Sequence, residues 1–381
     1  MSSFLRILVA VTVIAHVPFL LAVVVFAKRI AFPAPWTLAL TLTTFGVGVF
    51  MARAGAGMSD RRRTRSMINL VDIPSFIHWC ACLFTVVPCA VATLVAPIVD
   101  AVRGRLIALP WNFYLWAYVV GVAVSAYGIL IRRRWFVVKE IPVPIAGLDP
   151  KLDGFRIAHL SDLHIGAITP RAWGERWARA ANRAAPDITV VTGDMVTSGT
   201  DFHEDIANVI AMLEAKLGVF VSMGNHDYFG EGEPLITLIR DRGPKVLRNE
   251  GVVIEKNGAK LFVSAIDDTW TRRDDLLLAL SDRPEGVPVI LLAHDPERFT
   301  QSAKLGVELT LSGHTHGGQI AVPFLAKWLS LSHLTHHFHL GLYKKGRSTL
   351  YVHPGLGTTG PPIRIGVAPA VVILTLRAVA A

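Results

Sequence analysis

Four apolar stretches occupy the first third of this 381-residue chain. Each comes close to the ~20 residues that an α-helix needs to cross a bilayer. They run over residues 4–27, 36–52, 76–99 and 112–131. With 52% hydrophobic residues and a mean hydropathy of +0.46, the chain is too apolar for an ordinary soluble protein. The first stretch, broken by Arg6 and His16, lacks a small-x-small cleavage site, and three more follow it. We read it as a span and not as a signal peptide. Trp111, Tyr114, Trp116 and Tyr118 gather at one end of the fourth, as an interfacial aromatic belt does. Cys80, Cys82 and Cys89 all lie in the third. Too few for a disulfide framework, and a poor zinc set by themselves, they are read as small apolar residues of a membrane helix.

Charge orients these spans. Of the 38 Lys and Arg, 14 lie in residues 1–140, with only four of the 29 acids. The remainder of the chain is close to neutral. Arg53, Arg61, Arg62, Arg63 and Arg65 sit between spans two and three, and Arg132, Arg133 and Arg134 follow span four. The other side holds only Lys28 with Arg29, and Arg103 with Arg105. Basic residues favour the cytoplasmic side, so both termini and everything after residue 135 are expected there, in a bacterial inner membrane. The run at 61–65 precedes an apolar segment as a twin-arginine export signal would, but its internal position favours the topogenic reading. Because the basic excess flanks apolar segments and not the downstream domain, no nucleic-acid partner is expected. The partners expected are the bilayer and a lipid or nucleotide-lipid phosphoester; the oligomeric state is left open.

The texture changes near residue 152. The division expected is a transmembrane region over 1–135, a linker over 136–151 and a catalytic-sized domain over 152–381. Short apolar runs predict strands at 155–160, 188–192, 219–223, 252–255, 261–265, 287–293, 307–311, 350–352 and 371–376. Amphipathic stretches predict helices at 171–184 and 205–216. The domain is therefore α/β with many strands.

Residues with metal-ligating side chains follow several of these strands. IAHLSDLHIG places Asp162 and His164, VVTGDMV places Asp194, and FVSMGNHDYF places Asn225, His226 and Asp227. VILLAHDPE places His294, and LSGHTHGGQ places His314 and His316. One histidine or one Gly-Asp turn is unremarkable. Five of the 14 histidines at strand ends, each beside Asp, Asn or Gly, mark a site. Carboxylate, amide oxygen and imidazole together suit Mn, Fe or Zn as divalent ions. There are too many ligands for one ion. Two ions sharing a carboxylate, ~3.5–4 Å apart, form the usual clamp for in-line phosphoryl displacement. Gly193, Gly224, Gly313 and Gly317 let the backbone turn beside such ions.

The series D-x-H, G-D, G-N-H-D, H and G-H-x-H, in that order, resembles the calcineurin-like metallophosphoesterase superfamily over residues 152–378. The resemblance implies a β-sandwich flanked by helices, with a dinuclear site at the sheet ends and hydrolysis by metal-activated water without a covalent intermediate. Carried over by motif, one ion is held by Asp162, His164, Asp194 and His316. The other is held by Asp194, Asn225, His294 and His314. His226 reaches the phosphoryl oxygen or the leaving group, with Asp227 orienting it. The blocks SDLHIG, VLRNEG, AIDD, GHTHGGQ and YVHPGLGTTGPPIRIG resemble the membrane-associated bacterial subgroup. That subgroup includes enzymes that cleave the pyrophosphate of UDP-2,3-diacylglucosamine in lipid A biosynthesis. Two departures, Pro369-Ala370-Val371 and His353, touch no expected ligand. A broad phosphodiesterase acting on soluble substrates and a non-catalytic ligand-binding membrane protein stand as alternatives.

Other features were weighed. His333, His336, His337 and His339 are read as a polar loop beside the active site in preference to a further metal site. Trp173 and Trp177 are read as core packing over a bilayer-facing surface. Asp267 and Asp268 are read as turn residues. Arg364 is either a phosphate contact or a surface strand residue.

Overall fold

In a computed structural model that describes residues 3–56, 60–103 and 112–379, the chain divides into two compact units at Ile131. Trp111 and Arg105 lie outside the described residues. Four helices among those described are long and apolar enough to cross a membrane: Leu5–Arg29, Pro35–Arg53, Arg65–Val99 and Phe113–Arg134. The third starts well before the expected residue 76. It runs unbroken through a π-helical turn, Ile68–Asp72, into the helix Ile73–Arg103. The loop expected between spans two and three contained Asp72. Its side chain is instead fully buried, ion-paired with Arg53 and, at 3.0 Å, with Arg63. A charge is tolerated in such a place only when paired.

The second unit contains two six-stranded sheets. The first has the order β1-β12-β2-β3-β4-β5 and the second β10-β11-β9-β8-β7-β6. In the first, β2 (Arg156–Leu160), β3 (Ile188–Thr192) and β4 (Val219–Ser222) are parallel, with β5 (Lys245–Val246) beside them. In the second, β7 (Ala259–Ala265), β8 (Val289–Leu292) and β9 (Leu309–Ser312) are parallel, flanked by β6 (Glu250–Lys256), β10 (Gly341–Lys345) and β11 (Ser348–Val352). Ile157, Val190, Phe220, Val263, Ile290 and Leu311 belong to a core that both sheets feed. Leu160, Val191 and Val221, on the opposite pleat, pack with Trp177, Ile206, Ile210 and Ile236 of the helices Arg171–Arg183, His203–Ala211 and Gly232–Arg240. Strands buried on both faces read as continuous apolar runs, which is why they were visible in the sequence.

Three features differ from expectation. Residues 136–151, read as a linker, hold β1 (Val137–Ala146), paired in parallel with β12 (Ala370–Val379). Pro142 and Pro144 disguised it. Proline cannot donate to a ladder, but β1 is an edge strand, and residues two apart lose donors on the same side. The helix expected over 205–216 stops at Ala211. Asn182 breaks it, its amide donating to the Met212 carbonyl at 2.7 Å while its oxygen accepts from the Glu214 N–H at 3.0 Å. Residues 60–62 pack within the second unit. The Asp60 N–H donates to Ser198 Oγ at 2.9 Å, Ala167 N–H donates to the Asp60 carboxylate at 3.2 Å, and Arg62 pairs with Asp205 at 2.8 Å.

Candidate metal centre

Every side chain expected at the site follows a parallel strand. Asp162 and His164 follow β2, Asp194 follows β3, and Asn225 to Asp227 follow β4. From the second sheet, His294 follows β8, and His314 and His316 follow β9. The carboxyl ends of both sheets converge here, where α/β folds place ligands. Asp162, His164, Asp194, His314 and His316 all have φ between +44° and +70°. Side chains seldom adopt that region, at roughly 1–2 kcal/mol each, and such strain collects at functional sites. Glycine's smallness serves elsewhere. A Cβ on Gly313 would strike the Asp162 carboxylate, and one on Gly224 would strike that of Asp194.

The ligand atoms form two groups. Asp162, His164, Asp194 and His316 lie together, as do Asp194, His294 and His314, with Asp194 common to both. His164 Nε2 and His316 Nε2 stand 3.0 Å apart, the separation of two nitrogens at right angles about an ion at roughly 2.1 Å. Asp194 Oδ2 is 3.2 Å from His294 Nε2 and 3.6 Å from His164 Nε2. Asn225 Oδ1 lies 3.1 Å from His314 Nδ1, which is 3.3 Å from His294 Nε2. The His294 Nδ1–H donates to the Thr192 carbonyl at 2.7 Å, so its Nε2 lone pair points inward, the usual support for a ligating imidazole. Asp162 Oδ2 is buried without a hydrogen-bond partner. An orphaned carboxylate oxygen amid convergent nitrogens fits a cation, and these residues accordingly fit two divalent ions.

Electrostatics agree. Burial holds His164 down to about 3, His314 to about 4 and His316 well below the usual imidazole range. All three rings are neutral, the form that binds metal. Burial pushes the Asp162 carboxyl up to about 6, with Asp194 adding to it. Burial works against charge on His294 too, but the Asp194 carboxylate outweighs it and raises the ring to about 10. Asp194 in turn is held well below the carboxylate range, because His294 and His226 overcome the effect of its burial. A proton on His294 occupies the place of a cation.

His226 is half-buried. Its Nδ1–H donates to the Thr197 carbonyl at 2.6 Å, and Nε2 lies 3.4 Å from Thr359 Oγ1. The orienting group is therefore Thr197 and not Asp227, which corrects the expectation. The Asp227 carboxylate faces the backbone, accepting N–H bonds from Asp194, Met195, Val196 and Gly224 at 2.8–3.2 Å. It clamps the β3 and β4 loops together. Burial and the nearby Asp194 raise it to about 7 against the pull of those donors.

Arg364 is fully buried, so the surface-strand alternative fails. Its guanidinium donates to the Pro354 and Gly357 carbonyls at 2.7 and 2.6 Å and backs the His316 ring at 3.3 Å. Asp267 accepts from Tyr228 and Arg248, and Asp268 caps the turn at Thr271. Trp177 is core, while Trp173 lies under Arg133 and Arg134. Of the four loop histidines, His333 and His339 meet edge-on at 5.0 Å, and the ring nitrogens of the others turn elsewhere. His336 meets the His314 ring edge-on at 5.6 Å, His339 faces the Lys327 carbonyl and His337 pairs with Glu297. Trp270, 62% exposed, packs at 5.3 Å on the other side of His314.

A further feature escaped the sequence. After His316 the chain makes an apolar loop in which Phe324 is 98%, Trp328 62% and Leu334 81% exposed. It is pinned at Ala321–Ser330 and by Thr315 Oγ1 donating to the His339 carbonyl at 2.7 Å. No periodicity marks it, because its apolar residues face no core.

The family model for calcineurin-like phosphoesterases matches residues 155–318. Among curated relatives, a Danio rerio "transmembrane protein with metallophosphoesterase domain" is 30% identical over 65% of this chain and 59% of that protein. An uncharacterized metallophosphoesterase of Bacillus subtilis, YkuE, is 30% identical over 59% of this chain and 80% of its own length. An uncharacterized metallophosphoesterase of Aquifex aeolicus is 34% identical over 60% and 87%. The chain therefore spans about three fifths of the Danio rerio protein's length and most of the two bacterial ones.

Proposed function

We propose a function on the premise that this chain belongs to the calcineurin-like phosphoesterase family: it is a membrane-bound, dinuclear-metal hydrolase of phosphoester or pyrophosphate bonds. The observation that carries the reading is the pair of ligand groups sharing Asp194. Asp162, His164, Asp194 and His316 would hold one divalent ion, and Asp194, Asn225, His294 and His314 the other. When bound, such a pair neutralises phosphoryl charge and makes water nucleophilic at neutral pH. With Nδ1–H committed to Thr197, His226 offers Nε2 to the leaving oxygen and delivers its proton there. Asp227 keeps the loops of Asp194 and His226 in register. Manganese is the ion to test first, with iron and zinc beside it.

The substrate we propose is lipid-linked, with UDP-2,3-diacylglucosamine as the specific candidate. Support comes from the four spans and from the exposed Phe324, Trp328 and Leu334 beside His316, since contiguous exposed apolar surface marks a lipid or ligand contact. The domain lies on the cytoplasmic face of a bacterial inner membrane, as the arginines flanking the spans favour. A reporter fused to the C-terminus that is active only in the periplasm would overturn that orientation.

The test is hydrolysis by the purified full-length protein with Mn²⁺ in detergent micelles. UDP-2,3-diacylglucosamine and bis(p-nitrophenyl) phosphate run side by side, with Asp194→Asn as the blank. The expected outcome is fast UMP release, slower cleavage of the generic ester and background turnover by Asp194→Asn. Cleavage of the generic ester alone removes the lipid substrate and leaves a broad phosphodiesterase. No turnover of either across several metals removes the enzyme.

A further inference from the structure

The membrane unit contains a second cluster of metal-ligating side chains, unrelated to the one at the sheet ends. His16 of the first span lies with His78 and Cys82 of the third, one ligand atom of each within 4.8 Å of the others. His16 is fully buried. Its Nδ1–H donates to the Thr12 carbonyl one turn back at 2.7 Å, while its Nε2 is buried with no hydrogen-bond partner. His78 Nδ1 is tied to the Tyr118 hydroxyl of the fourth span at 2.8 Å, which leaves its Nε2 for another partner. The Cys82 sulfur lies 3.9 Å from that Nε2 and 3.8 Å from Nδ1, and the centroids of the two imidazole rings are 5.1 Å apart.

The second span completes the arrangement with a residue that has no side chain. A Cβ on Gly46 would stand 2.6 Å from His78 Nε2 and 3.6 Å from His16 Nε2. Both nitrogens therefore approach Gly46, and the cluster touches all four spans. An imidazole whose free nitrogen is buried in hydrocarbon without a partner is costly, and such residues mark function by default. Here the other nitrogen of each ring is already held by an oxygen, as metal-ligating histidines are held. A nitrogen and a sulfur bound to one ion at ~2.0 and ~2.3 Å are separated by about 3.5 Å, close to the distance seen between Cys82 and His78.

We propose that His16, His78 and Cys82 form an intramembrane site for a soft monovalent cation, Cu⁺. Thiolate and imidazole are the ligands that select copper. The charge count selects the oxidation state. One thiolate and two neutral imidazoles around Cu⁺ sum to zero, while a divalent ion would leave a net positive charge in the low-dielectric interior, where unpaired charge is expensive. On binding, Cys82 loses its proton to solvent and the Cu–S bond forms, with no change of oxidation state.

The test loads full-length protein in detergent micelles with Cu⁺ anaerobically, against a competing chelator, and reads copper content and copper-edge X-ray absorption. The sheet-end centre contains no sulfur donor, so a copper–sulfur signal reports the membrane site alone. We expect one copper per chain, bound by one sulfur and two nitrogens. Cys82→Ser and His16→Ala should lower retention at least tenfold, and Cys80→Ser should leave it unchanged. Gly46→Ala, which keeps every ligand but crowds the space, should also lower it. Unchanged hydrolysis of bis(p-nitrophenyl) phosphate in these variants shows that they fold. No copper retained, a sulfur-free spectrum, or equal retention by wild type and Cys82→Ser would each overturn the proposal. A thiolate band with Co²⁺ but no retention of Cu⁺ would overturn the choice of ion.

Discussion

Two histidines in different parts of this chain are held in the same way. In the domain, the His294 Nδ1–H donates to the Thr192 carbonyl at 2.7 Å; in the membrane unit, the His16 Nδ1–H donates to the Thr12 carbonyl at 2.7 Å. The first carbonyl belongs to the end of a different strand, and the second to the preceding turn of the same helix. In the sheets, the candidate ligands follow strands within a few residues, so each is written beside the apolar run that positions it. In the helical unit, the candidate ligands are set by which faces of separate helices meet. His16 and Cys82 are far apart in the chain, and no local pattern joins them. A sheet writes its site into motifs, and a bundle does not.

The comparison can be stressed first where the membrane unit hides charge. Asp72→Ala should destabilise it most, by about 3–5 kcal/mol. Arg53 and Arg63, each largely buried, would lose their counter-ion. Thermal unfolding in detergent checks this, and an unchanged midpoint would mean that the pair is dispensable. In the domain, His226→Gln should lower turnover by about 10²–10³-fold with little effect on stability. Asp227→Asn should reverse that pattern, costing about 1–3 kcal/mol as one oxygen replaces two that serve four backbone donors. If both variants share one kinetic defect with intact stability, Asp227 acts through His226 after all.

These assignments show what the sequence could and could not reveal. Asp162, His164, Asp194, Asn225, His294, His314 and His316 were legible because each lies within four residues of a strand end. The role of Asp227 was not, since its neighbour in sequence is His226 while its neighbours in space are backbone amides of another loop. Arg364 looked exposed because burial of a guanidinium depends on carbonyls from residues 354 and 357. The edge strand β1 was hidden by prolines that only an edge tolerates.

A smaller effect lies in the pH dependence of metal binding at the sheet ends. In the metal-free domain, Asp194 holds a proton on His294 up to about pH 10, so the metal bound by His294 displaces it. Affinity should rise with pH, about tenfold per unit while one proton is lost. His164 and His316, held low, add nothing over this range. Calorimetry of Mn²⁺ binding in two buffers of different ionisation enthalpy measures the proton count, and zero would remove His294 from the ligand set. The smallest effect is expected at the apolar loop. Phe324→Ser with Trp328→Ser should lower turnover of a lipid-linked substrate several-fold and leave the generic ester untouched, because the bis(p-nitrophenyl) ester carries no acyl chain.

The sheet order β1-β12-β2 has a consequence for synthesis. Val137, just past the last apolar helix, pairs with Ala370, so the strand that fills the gap between β1 and β2 is made only after β2 to β11. At about 5–20 residues per second, the ribosome needs roughly 10–50 s to get from one partner to the other. Throughout that interval the growing chain carries two strands, β1 and β2, with open edges. The missing donors of Pro142 and Pro144 leave β1 a poor template on its outer side, so a neighbouring nascent chain is kept from adding there, while the side that β12 will fill keeps its donors until β12 arrives.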